Sequence, residues 1–289
     1  MTAPASLQDA LNRTSLGVSR EISPRERMPT EHVDGYLEVG RSALRAVMLA
    51  QQLASTPDFP SILDMGCGHG RVTRWLRAGY PQAQITACDL LTDGVDFCAR
   101  TFGATPVYSS RSLTAEAFPD RYDLIFVGSL LTHVDVAEWD RLIALWHTLL
   151  RPDGLLVVTT HGDLVAARMR AGHRYGYPAA SITRLLRAYE HAGFAFLEES
   201  SKNIDYGITL AKPDWTLGRL ERHADFSVVL YSAALWHNHQ DVVAVLRRSL
   251  EIAPPQAARE GARGRWPRPH LMRTPFAGQA VRGPAGGRT

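Results

Sequence analysis

The chain of 289 residues is 45% hydrophobic and 21% charged, a composition that suits one globular domain with extensions or at most two domains. No stretch approaches the roughly 20 consecutive apolar residues that a membrane span needs, and residues 1–20 lack the apolar core of a signal peptide. We therefore exclude a membrane-spanning protein and expect a soluble, cytoplasmic one.

The three cysteines, Cys67, Cys88 and Cys98, show no paired short spacing. This pattern argues against a disulfide framework and against a zinc site, so we expect no bound metal. The formal net charge is +3, and positive charge accumulates in residues 251–289, which are rich in Arg, Pro and Gly. That segment has no apolar periodicity, which predicts a disordered basic tail. Such a tail could bind nucleic acid or an acidic partner, but an inert, solvated tail fits its composition better.

In chain order, residues 31–55 carry apolar residues at intervals of three and four, which predicts a cap helix within an N-terminal extension over 1–56. Short apolar segments then alternate with helical patterns, and the predicted strands cover 61–65, 83–90, 105–110, 122–131 and 151–162. This alternation predicts an α/β fold: a Rossmann-like, mostly parallel sheet of seven strands with helices on both faces.

Two similar helix–turn–strand units follow, over 181–199 and 214–248. The second unit supplies two successive strands, so we assign it to the large sheet, and the predicted core covers 57–162 and 214–250. Residues 163–213 then form an insertion after the fifth strand, placed as a lid over the substrate. An additional edge strand of the sheet is the alternative for this insertion.

Three glycines, Gly66, Gly68 and Gly70, lie where the first strand turns into a helix. Glycine lets the backbone approach a ligand closely, and ligands of open α/β sheets bind at the carboxyl ends of the strands. The dinucleotide fingerprint requires G-x-G-x-x-G, whereas Arg71 occupies its last position here. Asp64, two residues before the first glycine, would repel a pyrophosphate and attract a cationic group such as an ammonium.

The pattern D-x-G-x-G-x-G over 64–70 resembles the first motif of the class I S-adenosylmethionine-dependent methyltransferases. Three further blocks match in order and spacing: Asp89 at the end of the second strand, "YDLIFVGSLLTHV" in the fourth, and "LLRPDGLLVVTTHG" leading into the fifth. The resemblance extends over about residues 40–248. It implies S-adenosyl-L-methionine as the cofactor and S-adenosyl-L-homocysteine as the product.

The same resemblance implies that Asp89 accepts hydrogen bonds from the two ribose hydroxyls and that Leu90 packs on the adenine. A helix N-cap is the alternative role for Asp89. The cofactor-binding residues implied by the resemblance are Asp64, Gly66, Cys67, Gly68, Gly70, Asp89, Leu90, Ser110, Val127, Gly128 and Ser129. Ser109 and Arg111 are weaker candidates near the adenine.

Two histidines follow the fourth and fifth strands, at the edge where the chemistry is expected. A general base assists methyl transfer to a hydroxyl, and histidine titrates near neutral pH. We therefore predict His133 and His161 as catalytic or substrate-contacting residues, with Asp163 able to orient His161. The alternative is a pair of histidines bonded to backbone at the rim of the sheet.

Aromatic residues of the N-terminal helix, the insertion and the last strands are candidates for the substrate pocket. The predicted substrate-binding residues are Tyr36, Tyr175, Tyr177, Tyr206 and Trp236. Ordinary packing is the alternative for the tyrosines.

The segment "HNHQD" places His237, His239 and Asp241 at alternating positions, which on a strand would point one way. Three such side chains could bind a divalent metal. A turn between the last two strands fits better, because Asn238 favours one.

The sequence thus predicts a methyltransferase acting on a small molecule, at oxygen. The chain lacks the Asn-Pro-Pro-Tyr and Pro-Cys motifs of nucleic-acid methyltransferases, which disfavours nucleic acid as a partner. Lys202 and Lys212 are the only lysines among 32 basic residues, which hints at a GC-rich bacterial genome and at secondary metabolism or sugar modification. The alternatives are a protein or RNA methyltransferase recruited by the basic tail, a non-catalytic cofactor-binding module, and a nicotinamide oxidoreductase. A homodimer is compatible with the sequence.

Overall fold

The computed structural model describes residues 6–28, 32–199 and 206–249. The predicted basic tail lies outside these residues. The helices are α1 (Leu7–Ser15), α2 (Val33–Ala54), α3 (Thr73–Gly79), α4 (Thr92–Phe102), α5 (Val136–Leu149), α6 (Asp163–Arg170), α7 (Ala179–Ala192) and α8 (Pro213–Leu220). The strands are β1 (Ser61–Met65), β2 (Gln84–Asp89), β3 (Thr105–Tyr108), β4 (Tyr122–Val127), β5 (Leu150–Thr160), β6 (Phe194–Glu198), β7 (Gly207–Ala211), β8 (Phe226–Trp236) and β9 (Gln240–Arg247).

Seven strands form one sheet in the order β3-β2-β1-β4-β5-β9-β8. The first five are parallel to one another, and β9 is antiparallel to both β5 and β8. This arrangement confirms the predicted Rossmann-like sheet. Because β1 and β4 lie in the middle with helices on both faces, they are almost completely buried, which explains their unbroken apolar runs.

The segment after β5 adds a second, smaller element of structure. Strands β6 and β7 pair antiparallel in a separate two-stranded sheet, so they do not extend the edge of the large one. Backbone bonds join β7 to the loops of the large sheet: Gly207 donates to His133, Thr209 to Thr132, and Ala211 to His161. The insertion is therefore held at the carboxyl edge of the sheet, and its role as a lid stays a prediction.

Helix α2 runs through Gly40 without a break, although glycine is a poor helix former. A Cβ at this position would collide with the carbonyl of Arg71 and with the Trp75 ring. The glycine thus allows α2 to pack directly on the loop after β1 and on α3, which brings the N-terminal helix to the same edge as the insertion.

Within the described ranges, no helix is long and apolar enough to span a membrane.

Candidate functional site

A cavity of about 1800 Å³ opens at the carboxyl ends of the parallel strands, where ligands of such sheets bind. The predicted site residues that line it are Gly66, Cys67, Gly68, Asp89, Leu90, Ser110, Gly128, Ser129, His133, His161, Tyr36, Tyr175, Tyr177, Tyr206 and Trp236. The other described residues of the prediction do not line it: Asp64, Gly70 and Val127.

The three glycines of the loop differ in what they do, although all have positive φ (82°, 51° and 79°). A Cβ added to Gly68 would meet no heavy atom within 4 Å, so the loop is open there to a ligand. A Cβ on Gly70 would instead collide with the Phe102 ring and crowd the Cys98 thiol. Gly68 therefore suits ligand binding, whereas Gly70 is required for the packing of the loop on α4.

Asp89 ends β2 and ties the glycine loop to it. Its Oδ2 accepts a hydrogen bond of 2.8 Å from the Gly68 amide, and its Oδ1 accepts one of 2.9 Å from the Leu91 amide. The N-cap of α4 is Leu91, not Asp89. Because a carboxylate has about four lone-pair sites, these two bonds leave Asp89 capacity for the predicted ribose hydroxyls.

Asp64 lies inside the protein, with only 1% of its surface exposed. The Thr73 hydroxyl donates a 2.6 Å hydrogen bond to its Oδ2. Burial, with a smaller contribution from the neighbouring Asp89, raises the pKa of Asp64 to about 7, against the effect of the Thr73 bond. The carboxyl thus holds β1 to the first turn of α3, which places it away from the wall where an ammonium was expected.

Two charged residues of the cavity wall were not predicted as ligands. The guanidinium of Arg71 lies 5.9 Å from the ring centroids of both Tyr36 and Trp236, and burial lowers its pKa. The Glu26 carboxylate lies close enough to stabilise the charge of Arg71, which opposes the effect of burial. Glu26 accepts a 2.6 Å bond from the Tyr36 hydroxyl. Arg71 could have been suspected from its place in the loop, whereas no local pattern marks Glu26.

A closed ring of hydrogen bonds holds the loop after β4. The Ser129 amide donates to Thr159 Oγ1 (2.8 Å), that hydroxyl donates to Gln240 Oε1 (2.6 Å), and Gln240 Nε2 donates to Ser129 Oγ (2.8 Å). Ser129 has a φ of 61°, which is unusual for a residue other than glycine. The ring therefore stabilises a strained backbone at the cavity wall, and it gives Gln240 of the "HNHQD" segment a role that sequence reasoning missed.

Residues 237–239 of that segment form the turn between β8 and β9, with positive φ at His237 and Asn238. Asp241 accepts bonds from the Tyr231 hydroxyl and the Ala234 amide, and His239 Nδ1 lies 2.7 Å from the Arg168 guanidinium. The described residues contain no group of three His, Cys, Asp or Glu side chains that could hold a metal ion.

The His133 ring is fixed in place by the insertion. Its Nδ1 lies 2.7 Å from the Gly207 carbonyl, and the ring stacks on Tyr206 with centroids 4.4 Å apart. Since a carbonyl only accepts, Nδ1 carries the proton of the neutral ring, and the lone pair lies on Nε2.

His161 is more deeply buried, at 5% exposure. Burial and the neighbouring His239 and His133 lower its pKa to about 3, although a bond to the Thr209 backbone acts in the opposite direction. Asp163, expected to orient this ring, instead accepts a 2.6 Å bond from the Tyr189 hydroxyl. His161 is therefore neutral at physiological pH and is a weak base.

Tyrosines of the insertion complete this end of the cavity. The ring of Tyr175 stacks on His239 at 5.9 Å and lies 6.3 Å from His161. Together with Tyr177 and Tyr206, it lines the cavity beside the two histidines. The site thus has a glycine-loop half with Asp89 and Arg71, and an aromatic half with two histidines.

Comparisons with known proteins agree with this geometry. Residues 62–154 match the family model described as a methyltransferase domain. The chain is 29% identical over 156 residues to a trans-aconitate 2-methyltransferase of Streptomyces avermitilis, an alignment that covers 51% of this chain and 57% of that protein. It is 23% identical over 155 residues to a malonyl-[acyl-carrier protein] O-methyltransferase of Anoxybacillus flavithermus, covering 53% of this chain and 58% of the relative.

The chain thus spans just over half the length of these curated relatives. Among solved structures, an S-adenosylmethionine-dependent methyltransferase from Clostridium acetobutylicum superposes with a TM-score of 0.51 at 11% identity, over 72% of this chain and 92% of that one. This likeness concerns the fold. The matched domain and the sheet topology agree: residues 62–154 are similar to a methyltransferase domain, and the fold is similar to that of an S-adenosylmethionine-dependent methyltransferase.

Proposed function

We propose that this protein transfers a methyl group from S-adenosylmethionine to a hydroxyl oxygen of a small-molecule acceptor. One observation carries the proposal: a single cavity reaches from the glycine loop and Asp89 to His133 and His161. Its volume of about 1800 Å³ exceeds the roughly 300–1,000 Å³ of a pocket for one drug-sized ligand. The cavity therefore has room for a cofactor and an acceptor side by side.

The residues of the glycine-loop half fit the cofactor. Asp89 would accept the ribose hydroxyls, and Leu90, a large apolar side chain that is 52% exposed, would pack on the adenine. Gly68 leaves the space that a close backbone contact needs. Arg71, a partly buried cation that lines the cavity beside Glu26, would bind the carboxylate of the methionine part.

When bound, the cofactor supplies an electrophilic methyl group on a sulfonium. The task of the protein is to hold the acceptor oxygen in line with that methyl and to take up the hydroxyl proton. His133 suits the proton transfer because its bond to Gly207 fixes the ring and directs the lone pair to Nε2. His161 has too low a pKa for this role.

Two further features support a small acceptor methylated at oxygen. The insertion and helix α2 both reach the cavity, through Tyr175 and Tyr36, and so restrict the space for a macromolecule. One of the relatives named above is an O-methyltransferase. The arginine-rich composition supports an acceptor from secondary metabolism or sugar modification.

The proposal is tested by the release of S-adenosylhomocysteine with a panel of hydroxylated small molecules. We expect turnover with at least one class, and a loss of about 10²–10⁴-fold in kcat for His133→Phe at unchanged affinity for S-adenosylhomocysteine. His191→Phe, which changes an exposed histidine on α7, is the matched control and should keep full activity.

Two outcomes would favour the alternatives. Methyl incorporation into protein or RNA only, abolished by removal of residues 251–289, would point to a macromolecular acceptor. Tight binding of S-adenosylhomocysteine without transfer to any acceptor would point to a non-catalytic module. Binding of NAD in place of S-adenosylhomocysteine would contradict the cofactor assignment itself.

A further inference from the structure

Glu26 and Arg71 place opposite charges at the same end of the cavity. Both residues line it together with the glycine loop, and they are close enough to interact electrostatically. The methionine part of the cofactor also carries two opposite charges, a carboxylate and an ammonium. The proposed function assigns the carboxylate to Arg71, so the ammonium still requires a partner, and a carboxylate would bind it more strongly than a neutral group.

Asp64, the carboxyl that the sequence suggested for an ammonium, does not line the cavity. The proposed function assigns a second acid, Asp89, to the ribose. Four further acids of the wall lie in other elements, at the start of α5 and in the insertion: Asp135, Glu138, Glu198 and Glu199. Among the described residues of the wall, Glu26 is therefore the acid that remains beside the glycine loop.

The N-terminal segment that carries Glu26, residues 16–28, is tied to the glycine loop by Arg74. The Nε atom of Arg74 donates a 3.0 Å hydrogen bond to the Gly70 carbonyl. Its Nη1 atom donates to the carbonyls of Ser19 (3.1 Å) and Glu21 (2.8 Å). Because Arg74 is almost completely buried, these bonds hold the segment firmly against the loop.

Three donors fix the carboxylate of Glu26 within this arrangement. Its Oε1 accepts bonds from the amides of Arg27 (2.8 Å) and Met28 (3.0 Å), and its Oε2 accepts the 2.6 Å bond from the Tyr36 hydroxyl. Oε1 also lies 3.9 Å from Nδ1 of His69, a residue of the glycine loop. Since a carboxylate has about four lone-pair sites, Oε2 keeps one for a ligand. With 5% of the side chain exposed, water would screen an ion pair there only weakly.

We infer that Glu26 binds the ammonium of the methionine part of the cofactor, beside the carboxylate that Arg71 binds. This inference rests on the proposed binding of the cofactor by the glycine-loop half. It makes the N-terminal segment part of the cofactor site, although the segment lies outside the large sheet and its loops. The site should therefore distinguish ligands that carry an ammonium from ligands that lack it.

The experiment compares two ligands that differ in this one group. Calorimetry measures the dissociation constants of S-adenosylhomocysteine and of its deaminated analogue, in which hydrogen replaces the ammonium and the carboxylate is kept. We expect the wild-type protein to bind S-adenosylhomocysteine about 10- to 100-fold more tightly, because the analogue cannot form the charge-assisted bond to Glu26.

Glutamate variants then locate the source of that preference. Glu26→Gln keeps an oxygen that can accept from Tyr36 and removes the charge, so the preference should fall to about 1–3-fold, through weaker binding of S-adenosylhomocysteine alone. Glu21→Gln is the matched control, because the Glu21 side chain is exposed in the same segment, and it should keep the wild-type preference. Thermal unfolding without ligand shows whether each variant is folded.

The outcomes separate this inference from the proposed function. A wild-type protein that binds both ligands equally overturns the inference and leaves the cofactor assignment in place. Equal losses for both ligands in Glu26→Gln also overturn it, and would mean that Glu26 only supports Tyr36 and the backbone of the segment. If Glu26→Gln does not fold, Glu26→Asp replaces it: the side chain is one methylene shorter, and an unchanged preference would contradict the inference. Failure to bind S-adenosylhomocysteine at all would defeat the proposed function instead.

Discussion

Replacing Asp64 with asparagine should make the protein more stable at alkaline pH relative to wild type. Asp64 is buried and its pKa is raised from 3.8 to about 7, so between these values the folded protein keeps a proton that the unfolded chain releases. The free energy of unfolding therefore falls as the pH rises through this window and levels off above it. Asparagine can still accept the Thr73 bond and has no proton to lose.

The size of the effect follows from the width of that window. At about 1.36 kcal/mol for each pH unit, the interval from 3.8 to about 7 corresponds to at most about 4 kcal/mol. At low pH, Asp64→Asn should have a slightly smaller free energy of unfolding than wild type. Between pH 4 and pH 8, the difference between the two proteins should shift in favour of the variant by up to about 4 kcal/mol. Taking the difference between the two proteins cancels the titration of all other groups.

Urea unfolding of both proteins at a series of pH values measures this difference. Asp34→Asn is the matched control: its carboxylate is 86% exposed on α2, where its 2.7 Å ion pair with Arg20 is weakened by solvent, so its difference curve should change far less than that of Asp64→Asn. A flat curve for Asp64→Asn would refute the reasoning. Affinity for S-adenosylhomocysteine provides a second check, and we expect the substitution to leave it unchanged. If Asp64 bound the ammonium of the ligand, the substitution would weaken binding by about 1.5–3 kcal/mol.

Three further substitutions test the cofactor half of the cavity. Asp89→Ala should weaken S-adenosylhomocysteine binding by about 1.5–3 kcal/mol in calorimetry, and an unchanged dissociation constant would contradict the ribose assignment. Arg71→Gln should weaken S-adenosylhomocysteine binding by a similar amount but spare 5′-methylthioadenosine, which lacks the carboxylate; equal losses for both ligands would count against carboxylate binding. Gly40→Ala should lower stability in thermal unfolding by about 1–3 kcal/mol, because its Cβ meets the Arg71 carbonyl, and a wild-type melting temperature would argue against the close packing of α2.

Local sequence signals were sufficient to predict the large sheet and the ligand-binding glycine loop. The apolar run of β1 and the glycines after it belong to one short segment, so their pattern predicts both the strand and the ligand-binding turn. The choice of β8 and β9 for the large sheet also depended on local signals, two strand-like runs in succession. The resemblance to the methyltransferase family depended on these same blocks.

Contacts between distant segments could not be predicted in this way. The Gly207 carbonyl that fixes His133 is 74 residues away in the chain, and no local pattern connects the two. The Thr73 hydroxyl that donates to the Asp64 carboxyl lies on α3, beyond the glycine loop. The burial that lowers the pKa of His161 likewise comes from rings of the insertion and of the turn after β8.

The position of the "HNHQD" segment follows from the direction of the last strand. Because β9 is antiparallel to β5, its first residues, not its last, lie at the carboxyl edge of the parallel strands, where Asp241 pairs with Thr160. Polar side chains at the start of β9 are therefore brought to the cavity by topology alone. Gln240 reaches Ser129, 111 residues earlier, and His239 reaches the aromatic half. The reversed direction of β9 thus brings Gln240 and the preceding His239 to the cavity wall.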